Sequence, residues 1–147
     1  MPGGGALIHV RNNVRLLVFH LIWLALIMAA VYVLRESGVN SFHMIGWLPF
    51  VFAAGSFVIG LLLVPHPGIA RNALSTLSLL VIGLMLYAIC ALNELALDAV
   101  YMYGLFHLPY GLLPLIESFS AANVLVIALL PYVAATLGIL LKRRLVR

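Results

Sequence analysis

Four long intervals of this chain contain no Asp, Glu, Lys or Arg between their ends: Arg15 to Arg35, Glu36 to Arg71, Arg71 to Glu94, and Glu117 to Lys142. Leu, Val, Ile and Ala dominate each of them. A helix at the surface of a soluble domain needs a charged or polar face to set against its apolar one. Apolar stretches of roughly 18 residues or more with no charge have no such face and are read as membrane-crossing helices. The remaining composition agrees, since 65% of the 147 residues are hydrophobic, 8% are charged and mean hydropathy is +1.21. The expected fold class is an all-α integral membrane protein, a four-transmembrane-helix bundle forming one domain over residues 1–147.

Taken in order, residues 1–13 hold three glycines and no periodicity, predicting a short flexible lead that lies along a surface over 6–10. Pro2 stands where myristoylation requires glycine. The first span is expected at 14–34, which at about 1.5 Å per residue covers a hydrocarbon core of about 30 Å. A signal peptide would also begin with Arg11 and Arg15, but this run is too long and no clear cleavage site follows it. Gly38 fits a helix C′ position, with Arg35 beside the negative end of the helix dipole. Ser41 can cap a second span at 45–64, with Trp47 at the interface, ended by Pro65-His66-Pro67-Gly68. Asn72 can cap a third at 73–92, and Ser120 a fourth at 122–141, before a basic tail at 142–147.

The positive-inside rule fixes the expected orientation. With both termini cytoplasmic, Arg11, Arg15, Arg71, Lys142, Arg143, Arg144 and Arg147 lie inside and only Arg35 lies outside. A fifth span over 99–116 would put the basic tail outside. That stretch also carries His107, Pro109, Gly111 and Pro114, which would break a lipid-facing helix. The outer segment 93–121 is therefore expected to be interfacial or re-entrant. Small residues four apart at Ala25 and Ala29, Ser56 and Gly60, and Ala134 and Gly138 let helices approach closely in lipid. Pro131 frees the carbonyl of Ile127 and is expected to kink the last helix near Tyr132 and Thr136.

The outer segment holds most of the acidic side chains: Glu94, Asp98 and Glu117, all but Glu36. On a continuing helix Glu94 and Asp98 would sit roughly 6 Å apart on one face, where like charges repel. Water, a proton, a cation or Arg35 would offset them, with Tyr101 within hydrogen-bonding reach and His43 and His107 on the same side. Glu94, Asp98, Tyr101, His107, His43 and Arg35 form the candidate outer polar site. His20 is the candidate intramembrane polar residue, about two turns into the first span, where titratable groups face the bundle interior. Ser75, Thr76 or Ser78 of the third helix would be its partner.

Several functions find no support. No HxxxH, HExxH or HxH spacing marks a zinc site, and no histidine at the depth of His20 completes a haem site. Neither GxSxG nor SxxK occurs, and MPGGGA lacks the strand and the Lys-Ser of a phosphate loop. Cys90 alone forms no intramolecular disulfide. The basic residues lie at the chain ends and make no stripe for nucleic acid. Basic residues of the tail can instead hold anionic lipid headgroups. No catalytic residue, metal or cofactor is assigned. The four-span size is similar to that of small multidrug transporters, but those depend on an acidic residue in the first span and 14–34 has none, so no family is assigned. These features point to a cell-membrane protein acting through assembly in the lipid bilayer, either as an accessory subunit or as a homo-oligomeric transport or permeation unit. The alternative is an enzyme on lipid or isoprenoid headgroups, with Glu94 or Asp98 as base and His43 or His107 as acid or ligand.

Overall fold

The computed structural model describes residues 4–38, 41–92 and 121–146, with 4–6, 41–47, 49, 90, 121–124 and 127 as backbone alone. Every regular element among them is a helix: α1 (Gly4–Glu36), α2 (Ser41–Leu62), α3 (Ile69–Leu74), α4 (Leu77–Leu92) and α5 (Ala121–Leu145). The outer segment 93–120 lies outside the described residues. Among the described residues one helix stretch, Leu7–Glu36, is long and apolar enough to cross a membrane, and Phe50–Leu62 and Leu77–Ile89 are shorter apolar stretches.

The helix ends show where sequence dictates structure. Gly38 ends α1 at φ +77°, a left-handed conformation that glycine adopts without steric cost, with its N–H on the Arg35 carbonyl and that of Ser37 on Val33. The lead expected to be flexible is instead helical from Gly4, because His9, Asn12 and Asn13 bond to the far side of the bundle. The run expected at 73–92 is broken into α3 and α4 at Ser75 and Thr76. Both hydroxyls turn back onto the preceding helix, Ser75 to the Arg71 carbonyl and Thr76 to that of Ala73, offering the backbone an exit from the helix. Lys142, Arg143 and Arg144, expected in a tail, form the last turn of α5 and complement its dipole.

Packing runs in a ring, α1 against α2, α2 against α5, α5 against α4 and α4 against α1. The α2–α5 pair is the most extensive. These two helices run in the same direction and cross where neither has a side chain. A Cβ on Gly60 would overlap the Ala135 carbonyl, and one on Gly138 would overlap that of Phe57. The small-residue spacings Ser56/Gly60 and Ala134/Gly138 thus pack against each other within one chain. Leu16, Ile59, Leu63, Leu79, Ala135 and Ile139 form a core cluster that joins α1, α2, α4 and α5. A second cluster, Leu24, Ile27, Leu48 and Phe52, joins α1 and α2 alone. Between the two, the indole of Trp23 lies where a Cβ on Gly55 would be.

Candidate functional site

Polar side chains gather at one end of the bundle, where the start of α1 meets the α2–α3 turn, α3, the start of α4 and the end of α5. Helix ends expose backbone groups without intrahelical partners. Here three asparagines supply them, because a primary amide carries both a donor and an acceptor. Asn12 donates to the Val64 carbonyl at 2.9 Å and accepts the Val64 N–H at 3.2 Å. Asn72 treats His66 in the same way, accepting its N–H at 2.7 Å and donating to its carbonyl at 2.9 Å, with a further bond to the Gly68 carbonyl at 2.8 Å. Asn13 bridges the helix break, donating to the Leu74 carbonyl at 2.9 Å and accepting the Ser78 N–H at 2.8 Å. It caps α4 from another helix, the part sequence reasoning gave to Asn72. Asn12 and Asn72 are fully buried, and an unpaired buried group costs about 1–3 kcal/mol, so losing these bonds would destabilise the turn.

Two histidines close the seam. His9 on α1 stacks on His66 of the turn, with ring centroids 4.2 Å apart and planes at 19°. The Nδ1 of His9 lies 2.9 Å from the Ser75 hydroxyl, while the Nε2 of His66 is buried without a hydrogen-bond partner. Burial, then the neighbouring His9 and then Arg71, hold the His66 pKa below its ordinary value. A Ser–His pair invites a catalytic reading, but Ser75 is fully buried and also donates to the Arg71 carbonyl at 3.1 Å. When its proton lies on that carbonyl, the hydroxyl can only accept from an Nδ1–H of His9, and that tautomer would not activate it. Thr76 and Thr136 meet at 2.7 Å, and Lys142 donates to the Leu63 carbonyl at 2.8 Å, closing the last turn of α2.

The residues expected from sequence fare differently. His20 is fully buried, as expected of an interior residue, and stands edge-on to Phe52 with centroids 5.3 Å apart. Of the residues expected near it, Ser75 bonds to His9, Thr76 to Thr136 and Ser78 to Asn13. Arg35 is exposed on the last turn of α1. Glu94, Asp98, Tyr101 and His107 lie outside the described residues, as does the side chain of His43 in the first turn of α2. Among the described residues no three His, Cys, Asp or Glu side chains come together as a metal site. Sequence reasoning missed His9, Asn12 and Asn13. The signal available was three polar side chains immediately ahead of a long uncharged run.

The chain matches no known protein family, no curated protein and no solved structure. What the site can do therefore rests on its own chemistry. The seam has no side-chain carboxylate among the described residues, Ser75 is buried, and the amides of Asn12, Asn13 and Asn72 are engaged by backbone groups. It is a lock that holds the bundle together at one end.

Proposed function

We propose that this protein is a four-span membrane bundle with both termini on the cytoplasmic side, and that it works by assembling with other membrane components and not by chemistry of its own. The observation that carries this is the outer surface. Only 22% of the apolar window of α1 is buried, which supports a helix facing lipid over the core helix of a soluble domain, whose residues would be mostly enclosed. Val14, Val18, Leu21, Ile22, Leu26 and Val33 are about half or more exposed along α1, and Val58, Val81, Met85, Val133 and Leu137 extend the same apolar surface to the other helices. Water would not tolerate a continuous surface of this kind, and lipid would.

The spans rest on length and charge. At about 1.5 Å per residue, the 22 residues of α2 and the 25 of α5 reach about 33 Å and 37 Å, which matches a hydrocarbon core of about 30 Å. Hydrogen bonds join Asn12, Val64, Leu74, Ser78, Leu63 and Lys142, so Arg11, Arg15, Arg71, Lys142, Arg143 and Arg144 gather at one end and Arg35 at the other. That is the charge asymmetry of a positive-inside protein. The interior argues for assembly over permeation by one chain, since α2 and α5 touch backbone to backbone and Leu16, Leu63 and Leu79 fill the space between helices.

The test is native mass spectrometry of the protein extracted from membranes in a mild detergent, after alkaline carbonate washing. Retention in the washed membrane and a homo-oligomer or stoichiometric protein partner are expected. Release by carbonate overturns the membrane reading, and a monomer without partner overturns assembly.

A further inference from the structure

We infer that the end of α5 carries a built site for one anionic phospholipid, an inference that rests on the membrane reading above. A groove of about 600 Å³ runs between α2, α3 and α5, lined by Phe57, Ile69, Leu137, Leu140, Leu141, Arg143 and Arg144. Its chemistry is divided along its length. Leu137 and Leu141 lie one helical turn apart and Arg144 follows Leu137 by about two turns, roughly 10 Å, so an apolar floor leads into a guanidinium mouth. That order matches a glycerophospholipid, whose phosphate lies at the interface and whose acyl chain runs from it into the hydrocarbon.

Three observations separate this groove from a generic basic tail. First, Lys142 points elsewhere, its ammonium held by the Leu63 carbonyl at 2.8 Å, so only the next two basic residues face the groove. Second, those two are arginines, whose planar fork binds a phosphate through two parallel hydrogen bonds where a lysine offers a point charge. Third, the only side-chain carboxylate among the described residues, Glu36, ends α1 at the opposite end of the bundle, so the described structure offers the guanidinium groups no internal anion. Ile69 is 65% exposed and Leu137 is 55% exposed beside these charges, an apolar wall for a ligand that has both an acid and a hydrocarbon part.

The probe is dioleoyl phosphatidylglycerol added stepwise to delipidated full-length protein in detergent, read by native mass spectrometry, with dioleoyl phosphatidylcholine and inorganic phosphate as competitors. One phosphatidylglycerol per chain is expected, outcompeted by neither. R143Q/R144Q is expected to weaken it by tenfold or more, because each basic residue near an anionic headgroup contributes roughly a fivefold change. R11Q/R15Q, which removes the same charge away from the groove, is expected to leave it unchanged. L137W fills the apolar floor and keeps both arginines, and is expected to abolish the one-to-one complex. Equal binding by L137W, or equal losses in the two arginine pairs, would overturn the site in favour of diffuse charge attraction. Competition by inorganic phosphate would overturn the lipid as its occupant. Carbonate washing of the membranes, before the parent and each variant are extracted from them, separates these results from a failure of the membrane reading, which would release the parent protein as well.

Discussion

At the scale of the residue, the seam shows how polar side chains hold a buried place by answering backbone groups. His66 is the exception, because its Nε2 is buried without a partner and its ring is stacked on a second histidine. A proton there would have to be desolvated, and His9 and Arg71 oppose it further. The folded-state pKa therefore lies below the ordinary histidine value of 6.5. Between those two values the unfolded chain binds more protons than the folded one, so stability falls as pH drops through 6.5 and levels off below the folded value. The thermal midpoint in detergent is expected to fall between pH 7.5 and 5 in the parent, and the drop is expected to shrink markedly in His66→Phe, which keeps a ring to stack on His9 and has no proton to gain. An unchanged slope would show that His66 contributes nothing. None of this was legible beforehand, since hydropathy ranks Asn12, Asn13 and His9 as lead residues and only folding shows which carbonyl each one meets.

At the scale of the element, what sequence revealed depends on how local the cause was. The Gly38 terminus and the Pro65 to Gly68 stop were legible, because backbone conformation at a glycine or a proline is set within a few residues. The break between α3 and α4 was not, because Ser75 and Thr76 are tolerated within helices and Asn13 stabilises the gap from another element. The spacing of Ser56/Gly60 and Ala134/Gly138 was legible as a close-packing device, while the identity of the partner helix was not. The α2–α5 crossing makes this testable. Gly60→Leu would drive a side chain into the Ala135 carbonyl, and backbone cannot move aside as a flexible side chain can. Overpacking of a tight core typically costs about 1–3 kcal/mol and sometimes more. Gly60→Leu is expected to lower the thermal midpoint by several degrees and to reduce the folded yield, whereas Gly68→Leu, whose Cβ would meet only the Arg71 side chain at 3.8 Å, is expected to be far milder. Equal effects would mean that the crossing is looser than its geometry.

At the scale of the whole molecule, the fold is organised as a locked end and an apolar wall. The α1–α2 register shows it: Asn12 meets Val64, Leu16 packs with Leu63, Trp23 lies on Gly55, and Leu24 packs with Phe52. Hydrogen bonds concentrate where the basic residues lie, and from there toward Arg35 the described contacts between helices become apolar. The proposed membrane orientation, with the basic end in the cytoplasm, would account for that division, since water at the interface would support a polar lock and lipid the rest. Orientation then becomes a measurable consequence. In a Cys90→Ser background, single cysteines at Ser37, Gly68 and Val146 place a thiol after α1, after α2 and after α5. All three positions are at least partly accessible. With a membrane-impermeant maleimide on intact cells, the cysteine at 37 is expected to label at once, and those at 68 and 146 only after the membrane is opened. Labelling at 37 and 68 from the same side would mean that α2 does not cross. The mirror pattern, with 68 and 146 outside, would keep the spans and invert the protein, so that the arginine groove faces the outer leaflet and its lipid would have to come from there.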